Sequence, residues 1–383
     1  MSDNYNSPPE DEKKVQEAGG FKCPACGGAT VFDPESQTLK CEYCHAEHAI
    51  ENIEGTIDEK DFFSADESAD QDWGSKTRVV RCDNCGGETV LEANDISTRC
   101  AFCGSPQVVD TDELPGIKPE SVLPFKVDKK NAKTNFKAWI NKRFWAPRSI
   151  KKDHEMEKTM KGIYVPHWTY DAGTFSSYQG QAGNYYYITQ TYTVMVDGRP
   201  QQRTRQVQKI RWFPVGGNYN KFFDDVLIND STNIDQKIMH NIQPFDLKLL
   251  SKYNPKFLVG FAAEKYTKGV KAIWESAKSV IRQRIKSDIH SIILRSADVV
   301  GNININTSYK DITYKHMLLP VWISAYRFRG KVFSFYINGQ TGEVQGKAPV
   351  SFWKVLIAVL LAAGLIYLIS LWVMSGSSSG YVG

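Results

Sequence analysis

Eight cysteines in a strict repeat constrain this chain more than any other feature. They form four Cys-x-x-Cys pairs, and adding 59 to each position of the first two pairs gives the positions of the last two. In each half, 14 residues separate the two pairs. Four cysteines spaced in this way are typical of a zinc ribbon, in which four thiolates hold one tetrahedral Zn²⁺. The repeat predicts two structural zinc ions, with the ligands Cys23, Cys26, Cys41 and Cys44 for the first and Cys82, Cys85, Cys100 and Cys103 for the second.

The surroundings of the cysteines favour structural zinc over two alternatives. A glycine doublet follows each leading pair, and glycine allows the sharp turn that wraps the chain around a metal. A module of about 30 residues buries too little surface to fold alone, whereas zinc contributes on the order of 10 kcal/mol of folding free energy. Disulfides are disfavoured because the polar N-terminus contains no signal peptide. A redox-active dithiol needs one pair at a helix start, not four repeated pairs.

A long uncharged segment near the C-terminus is the second decisive feature. Residues 355–374 are apolar almost throughout. At about 1.5 Å per residue, a helix of this length crosses the roughly 30 Å hydrocarbon core of a bilayer. Trp353 and Trp372 lie near its two ends, where indole rings favour the membrane interface. We therefore predict one transmembrane helix over residues 353–375.

The charges flanking this segment predict its orientation in the cell membrane. Lys347 and Lys354 precede it, whereas the tail over residues 376–383 carries no charge. By the positive-inside tendency, the N-terminus and the main body stay in the cytoplasm and the short tail is extracytoplasmic. A reducing cytoplasm also keeps thiolates free for zinc, so the two arguments agree.

Charge divides the chain into an acidic N-terminal part and a basic remainder. Residues 1–110 contain nine Lys and Arg against 23 Asp and Glu, a net charge of −14, and since the whole chain carries +4, the remainder carries +18. Nucleic-acid contacts rely on cations at phosphates, so the acidic ribbons argue against nucleic acid as a partner. The acidic part divides into a disordered tail (1–20), ribbon 1 (21–50), an acidic linker (51–76) and ribbon 2 (77–110).

The acidic linker admits two interpretations. It contains nine acidic and two basic residues, with Phe62, Phe63 and Trp73 as isolated apolar points. Such runs are usually solvated linkers. The alternative is a partner-binding segment whose aromatic side chains dock when it is captured.

The region over residues 114–347 reads as a mixed α+β cytoplasmic domain. Asp128 is a candidate N-cap for a helix that runs to about Phe144, and an apolar stripe at spacings of three and four predicts a second helix over residues 268–295. Alternating patterns predict antiparallel hairpins, with turns at Asp197-Gly198 and Arg329-Gly330. The predicted strands are residues 162–170, 184–196, 203–213, 318–328 and 331–337.

Matching short motifs predict that this domain arose by internal duplication. Pro124-Phe125 precedes the first helix and Pro244-Phe245 the second. Val165-Pro166-His167-Trp168 likewise corresponds to Leu319-Pro320-Val321-Trp322. The halves would cover about residues 115–235 and 236–347.

No residue set in the domain matches a complete catalytic motif. His167, upstream of Asp171, is the strongest candidate, but its counterpart is Val321, and a structural role is the favoured interpretation. His154-Glu155 begins like a zincin motif, yet Lys158 occupies the place of the second ligand. P-loop and Gly-x-Ser-x-Gly sequences are absent from residues 114–347. We expect no catalytic residues and no enzymatic activity.

Two other groups of polar residues have both a plain and a specific interpretation. His45 and His48 adjoin Cys44 and could compete as ligands, although surface roles fit better beside four cysteines. The basic runs over residues 118–161 and 199–211 are either solvated faces or surfaces drawn to anionic lipid beside the anchor.

The layout as a whole resembles a family of bacterial membrane-tethered proteins with two N-terminal ribbons, a central domain with Pro-x-Trp motifs and a C-terminal transmembrane helix. The residues that carry the resemblance are Cys23-Pro24-Ala25-Cys26-Gly27-Gly28, Cys82-Asp83-Asn84-Cys85-Gly86-Gly87, Pro166-His167-Trp168 and Pro320-Val321-Trp322. The resemblance implies association with SPFH-domain proteins and with PspA-like proteins of the phage-shock type, in the response to membrane stress.

These observations together predict a single-pass membrane adaptor, or scaffold, whose zinc ribbons recruit cytosolic proteins. The alternative is a membrane-tethered zinc-ribbon protein that binds nucleic acid or acts in transcription. The sequence leaves oligomerisation open.

Overall fold

The computed structural model describes residues 23–28, 30–51, 57–65, 77–81, 86–92, 102, 109–110, 119–147, 150, 159–196, 198–231, 233–264, 266, 268–328 and 331–377. Within these residues the chain forms a small three-stranded sheet near the N-terminus, a sheet-rich body and four α-helices, the last of them apolar. The multidomain, mixed α and β architecture expected from the sequence is present at this level. Cys82, Cys85, Cys100, Cys103 and His154 lie outside the described residues.

The first cysteine set belongs to the three-stranded sheet. Its strands β1 (Thr30–Asp33), β2 (Thr38–Cys41) and β3 (Glu47–Ala49) pair antiparallel in chain order. In the second module, β5 (Thr77–Arg81) pairs antiparallel with β6 (Glu88–Glu92) and with β7 (Val109–Asp110). Both modules therefore place a hairpin beside the cysteine positions.

Three very long strands form the centre of the body. β9 (Lys161–Val196) pairs antiparallel with β10 (Arg199–Asn229) on one side and with β13 (Val299–Phe328) on the other. At about 3.3 Å per residue, a strand as long as β9 spans roughly 120 Å.

The sequence predicted separate short strands in this region, and that prediction is wrong. Gly173, Gly180 and Gly183 look like breaks but lie inside β9. They serve close approach between strands, because a Cβ at Gly180 would collide with the backbone oxygen of Asn302 on β13. The predicted turn after Val196 is confirmed, since Arg199 pairs with Val196.

Helix α1 (Lys129–Asn141) begins where the sequence predicted. The Asp128 carboxylate accepts a hydrogen bond from the backbone N–H of Asn131 at 2.7 Å, which satisfies a free donor of the first turn. Phe136 and Ile140 are buried as expected. The predicted end at Phe144 is wrong: this residue follows the helix and is exposed. Its carbonyl instead accepts a hydrogen bond from the Lys354 ammonium at 2.6 Å.

Helix α3 (Val270–Ile293) confirms the second helix prediction. Its apolar stripe is buried against the long strands, and Tyr170 on β9 donates a hydrogen bond to the carbonyl of Val270 at 2.6 Å. The short helix α2 (Gln236–Asn241) and two 3₁₀ turns, Leu247–Leu249 and Pro255–Leu258, lie between β10 and α3. The stripe consists of Val270, Ile273, Trp274, Ala277, Ile281, Ile285, Ile289 and Ile293.

Short strands complete the sheet. The hairpin predicted after Phe328 is present, since β14 (Lys331–Asn338) pairs antiparallel with β13 and with β15 (Val344–Gly346). The others are β4 (Lys60–Asp61), β8 (Ser121–Val122), β11 (Ser251–Lys252) and β12 (Ala262–Ala263).

The acidic linker is not solvated along its whole length. Its strand β4 pairs with Thr313 and Tyr314 of β13. Phe62 is buried between Tyr170 and Trp274, with ring centroids 6.5 and 5.5 Å away, whereas Phe63 is exposed. This part of the linker therefore docks on the body of its own chain.

The two Pro-x-Trp motifs lie side by side on adjacent strands. In the antiparallel pairing of β9 with β13, Val165 lies opposite Leu319, Pro166 opposite Leu318, and Tyr164 opposite Pro320. Residues that correspond in sequence thus exchange places about a local two-fold axis. A diverged duplication would produce this arrangement, and the duplication stays a prediction.

The apolar C-terminal segment forms helix α4 (Phe352–Ser377). Residues Phe352–Leu371 are long and apolar enough to cross a membrane, and none of this window is buried inside the protein. The Lys354 ammonium joins the start of α4 to the turn after α1, where it donates to the carbonyls of Phe144 and Ala146.

Candidate metal centre

The first cysteine set converges on one point. One ligand atom from each of Cys23, Cys26, Cys41 and Cys44 lies within 4.8 Å of the others. The Sγ atoms of Cys23 and Cys44 are 3.6 Å apart, and those of Cys26 and Cys41 are 3.5 Å apart. Cys23 and Cys41 are buried, whereas Cys26 and Cys44 are exposed. The cluster can hold a metal ion with one side toward the protein and one toward solvent.

Two similar tight turns position these thiols. In the first, the N–H of Gly27 donates to the carbonyl of Cys23 at 2.8 Å, and in the second the N–H of His45 donates to the carbonyl of Cys41 at 3.1 Å. Gly27 has φ +72° and His45 has φ +60°, both in the left-handed region. The glycine doublet explains the first turn. No such signal marks the second turn, where a histidine adopts a conformation that costs about 1–2 kcal/mol.

His48 adds a neighbour to the cluster that the sequence analysis had assigned to the surface. Its Nε2 lies 3.3 Å from Sγ of Cys23, and the ring is half-buried. This hydrogen bond lowers the pKa of Cys23 to about 6. His48 therefore stabilises the thiolate form of one ligand, while His45 is exposed.

The electrostatics of the four thiols suit a bound cation. The backbone N–H of Ala46 favours the Cys44 thiolate, but hydrogen bonds with Cys26 and Cys23 outweigh it and raise the pKa of Cys44 to about 12. Four thiolates so close together repel one another until a cation neutralises them. Four sulfur ligands this close together fit zinc, a borderline-soft ion that thiolates bind well and that has no geometric preference from its d-electrons.

The three-stranded sheet that carries the cysteine cluster is fixed to the body by an aromatic contact. Phe32 on β1 is buried, and its ring centroid lies 5.4 Å from Phe257 and 6.2 Å from Phe261. Its backbone N–H also donates to the carbonyl of Val259 at 3.0 Å. Gln37 donates to the carbonyl of Phe125 at 2.7 Å. These contacts therefore hold the small sheet, and with it the candidate metal site, in place on the body.

His167, the strongest catalytic candidate from the sequence, has a structural environment. Its side chain is buried, and its Nδ1 lies 3.0 Å from the carbonyl oxygen of Val165, close enough for the ring N–H to donate to it. Burial lowers the pKa of His167 to about 4, so the ring is neutral at physiological pH. Asp171 lies four residues farther along the strand, about 13 Å away. The two do not form an acid–base pair.

Asp171 supports two irregularities in the neighbouring strands. Its carboxylate accepts hydrogen bonds from the backbone N–H of Asp225 at 2.6 Å and from the Thr313 hydroxyl at 3.0 Å. Both partners adjoin register shifts, in β10 and β13 respectively. Burial raises the pKa of Asp171 to about 6. Carboxylate oxygens of Asp171, Asp224 and Asp225 lie close enough together to hold a metal ion. The hydrogen bonds to Asp225 and Thr313 already explain the position of Asp171 without one.

Comparison with known proteins is compatible with these observations and assigns no function. The chain is 27% identical over 337 residues to a Bacillus subtilis (strain 168) protein described as "Uncharacterized protein YdjG", an alignment that covers 88% of this chain and 91% of the relative. No protein-family profile matches the chain, and no solved structure does.

We expect the first cluster to bind one metal ion that depends on all four thiols. Full-length protein purified under reducing conditions without chelators should lose one zinc equivalent per chain on Cys26→Ser, because three thiolates leave the tetrahedral site incomplete. His48→Ala keeps four thiolates and should retain the ion. Elemental analysis decides the matter, and equal metal contents in the wild type and Cys26→Ser would contradict the assignment.

We also expect His167 to make stability depend on pH. Between pH 6.5 and its folded pKa of about 4, the unfolded chain binds more protons than the folded chain, so the free energy of unfolding falls as the pH falls. The slope should reach up to about 1.4 kcal/mol per pH unit. His167→Gln should flatten the profile from pH 4 to 7 in chemical denaturation, whereas His240→Gln, at an exposed position, should not. Identical profiles for wild type and His167→Gln would refute this role.

Proposed function

We propose that the chain is a non-enzymatic, single-pass membrane adaptor whose two zinc ribbons recruit cytosolic proteins. One observation carries the proposal. Tyr43 in ribbon 1 and Phe102 in ribbon 2 occupy the same position of the repeat, yet Phe102 is buried and Tyr43 is 75% exposed. The second ribbon uses this aromatic residue to pack on the body, and the first presents it to solvent.

The environment of Tyr43 suits a docking surface for protein. It lies between the ligands Cys41 and Cys44, and its backbone N–H is 3.4 Å from Sγ of Cys41. A metal held by the cysteines therefore fixes the loop that displays the ring. Phe32 of the same ribbon is buried against the body, whereas the Tyr43 side chain is left open to solvent. An exposed tyrosine on a rigid loop supplies contact area at low entropic cost.

The membrane part of the proposal rests on α4. An apolar helix whose window over Phe352–Leu371 is not buried inside the protein needs a bilayer or another protein to cover it. Lys354 at its start is bound to the turn after α1, so the body and ribbons lie on the lysine-bearing side. In the proposed topology this side is the cytoplasm.

The charge of the ribbon half bears on the kind of partner. A net charge of −14 over residues 1–110 favours a basic protein surface over nucleic acid. SPFH-domain and PspA-like proteins enter the proposal through the family resemblance alone. Recruitment of such proteins would serve the response to membrane stress.

A second candidate, a membrane-tethered nucleic-acid-binding protein, is favoured by one observation. Alternate residues of a strand lie on the same face, and five cations of β10 all stand at odd-numbered positions. They therefore lie on one face of the hairpin that β10 forms with β9. Neither strand carries an acidic residue between positions 184 and 211 apart from the turn. These cations are Arg199, Arg203, Arg205, Lys209 and Arg211.

Topology is testable by labelling intact cells with an impermeant thiol reagent. A cysteine at Ser378 should react from outside, because the proposed tail is extracytoplasmic. A cysteine at Gln206, an exposed position of the body, should react only after lysis. The parent chain controls for its own cysteines. Labelling at Gln206 but not at Ser378 in intact cells would reverse the topology and refute a cytoplasmic ribbon.

Recruitment is testable with a single side chain. Tyr43→Ala should lower the amount of a cytosolic partner that co-fractionates with the membrane at least tenfold, a loss typical of an interface aromatic residue. The zinc content and the membrane anchoring of the chain should stay unchanged. Phe63→Ala, at a similarly exposed phenylalanine, is the matched control and should retain the partner. Nuclease treatment distinguishes the two candidate functions. A partner that leaves on nuclease treatment, but not with Tyr43→Ala, would favour nucleic-acid binding.

A further inference from the structure

The long sheet loses its third strand before the end of β9. β13 begins at Val299, opposite Gly183, and α3 ends at Ile293. Beyond this point only residues 184–196 of β9 and 199–211 of β10 continue, as a hairpin exposed on both faces. At about 3.3 Å per residue the hairpin projects roughly 40 Å from the body.

One edge of this hairpin carries free hydrogen-bonding groups. The N–H of Asp298 donates to the carbonyl of Gly183 at 3.0 Å, and the Asp298 carboxylate accepts from the N–H of Tyr185 at 2.8 Å. The backbone groups of Gly183 and Tyr185 thus point to the side that β13 occupied. The alternation of a strand aims every second residue from Tyr187 to Met195 the same way. No strand of the described residues pairs with this side.

The two edges of the hairpin differ in charge. Residues 184–196, on the β9 edge, contain no charged side chain and are rich in Tyr, Thr, Val and Ile, which favour strands. Residues 199–211, on the β10 edge, carry five Arg and Lys and a proline. Charges and proline are the usual protection of an edge strand against pairing. The β10 edge is protected, whereas the β9 edge is open to another strand.

We propose that the open edge of β9 pairs antiparallel with the same edge of a second copy of this chain. Gln190 is the midpoint of residues 186–194, which lie beyond the contact with Asp298, so full overlap of this segment places Gln190 on the two-fold axis. Thr189 then lies opposite Thr191 of the second copy, and Ile188 opposite Tyr192. Further out, Tyr187 meets Thr193 and Tyr186 meets Val194, where the pairing ends because Asp298 occupies the edge at Tyr185.

The pairing is self-complementary at each step. Aromatic residues meet β-branched residues, and threonine meets threonine, which are favourable cross-strand pairs. No charge faces a like charge, because all five cations lie on the outer strands. Residues with outward backbone groups meet each other, as an antiparallel ladder requires. The result is a four-stranded sheet in place of two isolated hairpins, each of which is marginal in water.

The register is testable by disulfide cross-linking of the full-length chain in its membrane. Directly opposite residues that do not share hydrogen bonds have Cα atoms about 4.5 Å apart, within the range of a disulfide. Gln190→Cys should therefore give, on mild oxidation, a band at twice the 43.3 kDa chain mass. Thr204→Cys, exposed on the protected strand opposite Thr191, should not. Equal cross-linking of both variants, or linkage of Gln190→Cys to a different protein, would overturn the proposal.

A charge pair provides the second test. Thr189→Lys with Thr191→Lys places two pairs of lysines opposite each other across the axis, so the dimer should dissociate. The detergent-solubilised variant should then sediment with half the protein mass of the wild-type particle. Thr189→Lys with Thr191→Glu places opposite charges across the same axis and should restore the dimer. Both variants put two charged residues at the same exposed positions, so effects on folding are matched. Equal masses for the two variants would exclude this register, and a monomeric wild-type chain would exclude the dimer.

Discussion

The antiparallel pairing of β9 with its two neighbours is the constraint on which the rest of the structure depends. β10 and β13 flank this strand, α3 packs along it, and the short strand β12 joins it to β6 of the second module. Tyr170 ties it to the start of α3, and Asp171 supports the irregularities on both sides. A change that disturbed β9 would therefore move the second cysteine module as well as the core.

The metal and the body have complementary tasks in this arrangement. In the proposed zinc-bound form, thiolates around the ion would hold loops that are too short to fold alone, whereas Phe32 and Gln37 fix the same three-stranded sheet to the body. Loss of the metal would free the loop with Tyr43 but leave the body its own hydrophobic core. Such a division would suit the proposed adaptor, because bound zinc would keep the loop with Tyr43 rigid and helix α4 would not depend on it.

The sequence predicted those features that depend on local spacing. The first cysteine cluster forms because its ligands lie on tight turns, and α3 forms because its apolar stripe follows the helical period. The length of β9 was missed, since glycines that permit close strand contact resemble breaks. The docking of Phe62 and the role of His48 were missed because both depend on partners distant in sequence. Phe144 fits the helical stripe, yet the helix ends first and its carbonyl binds Lys354.

The central claim is that a metal-built loop on a membrane-held body binds a cytosolic protein. Site-specific photocrosslinking from position 43 in intact membranes tests it most directly, with position 63 as the matched exposed site. The account predicts a protein adduct at position 43 that disappears when zinc is removed by a chelator, and none at position 63. An adduct with nucleic acid, or a protein adduct that persists without zinc, would contradict it.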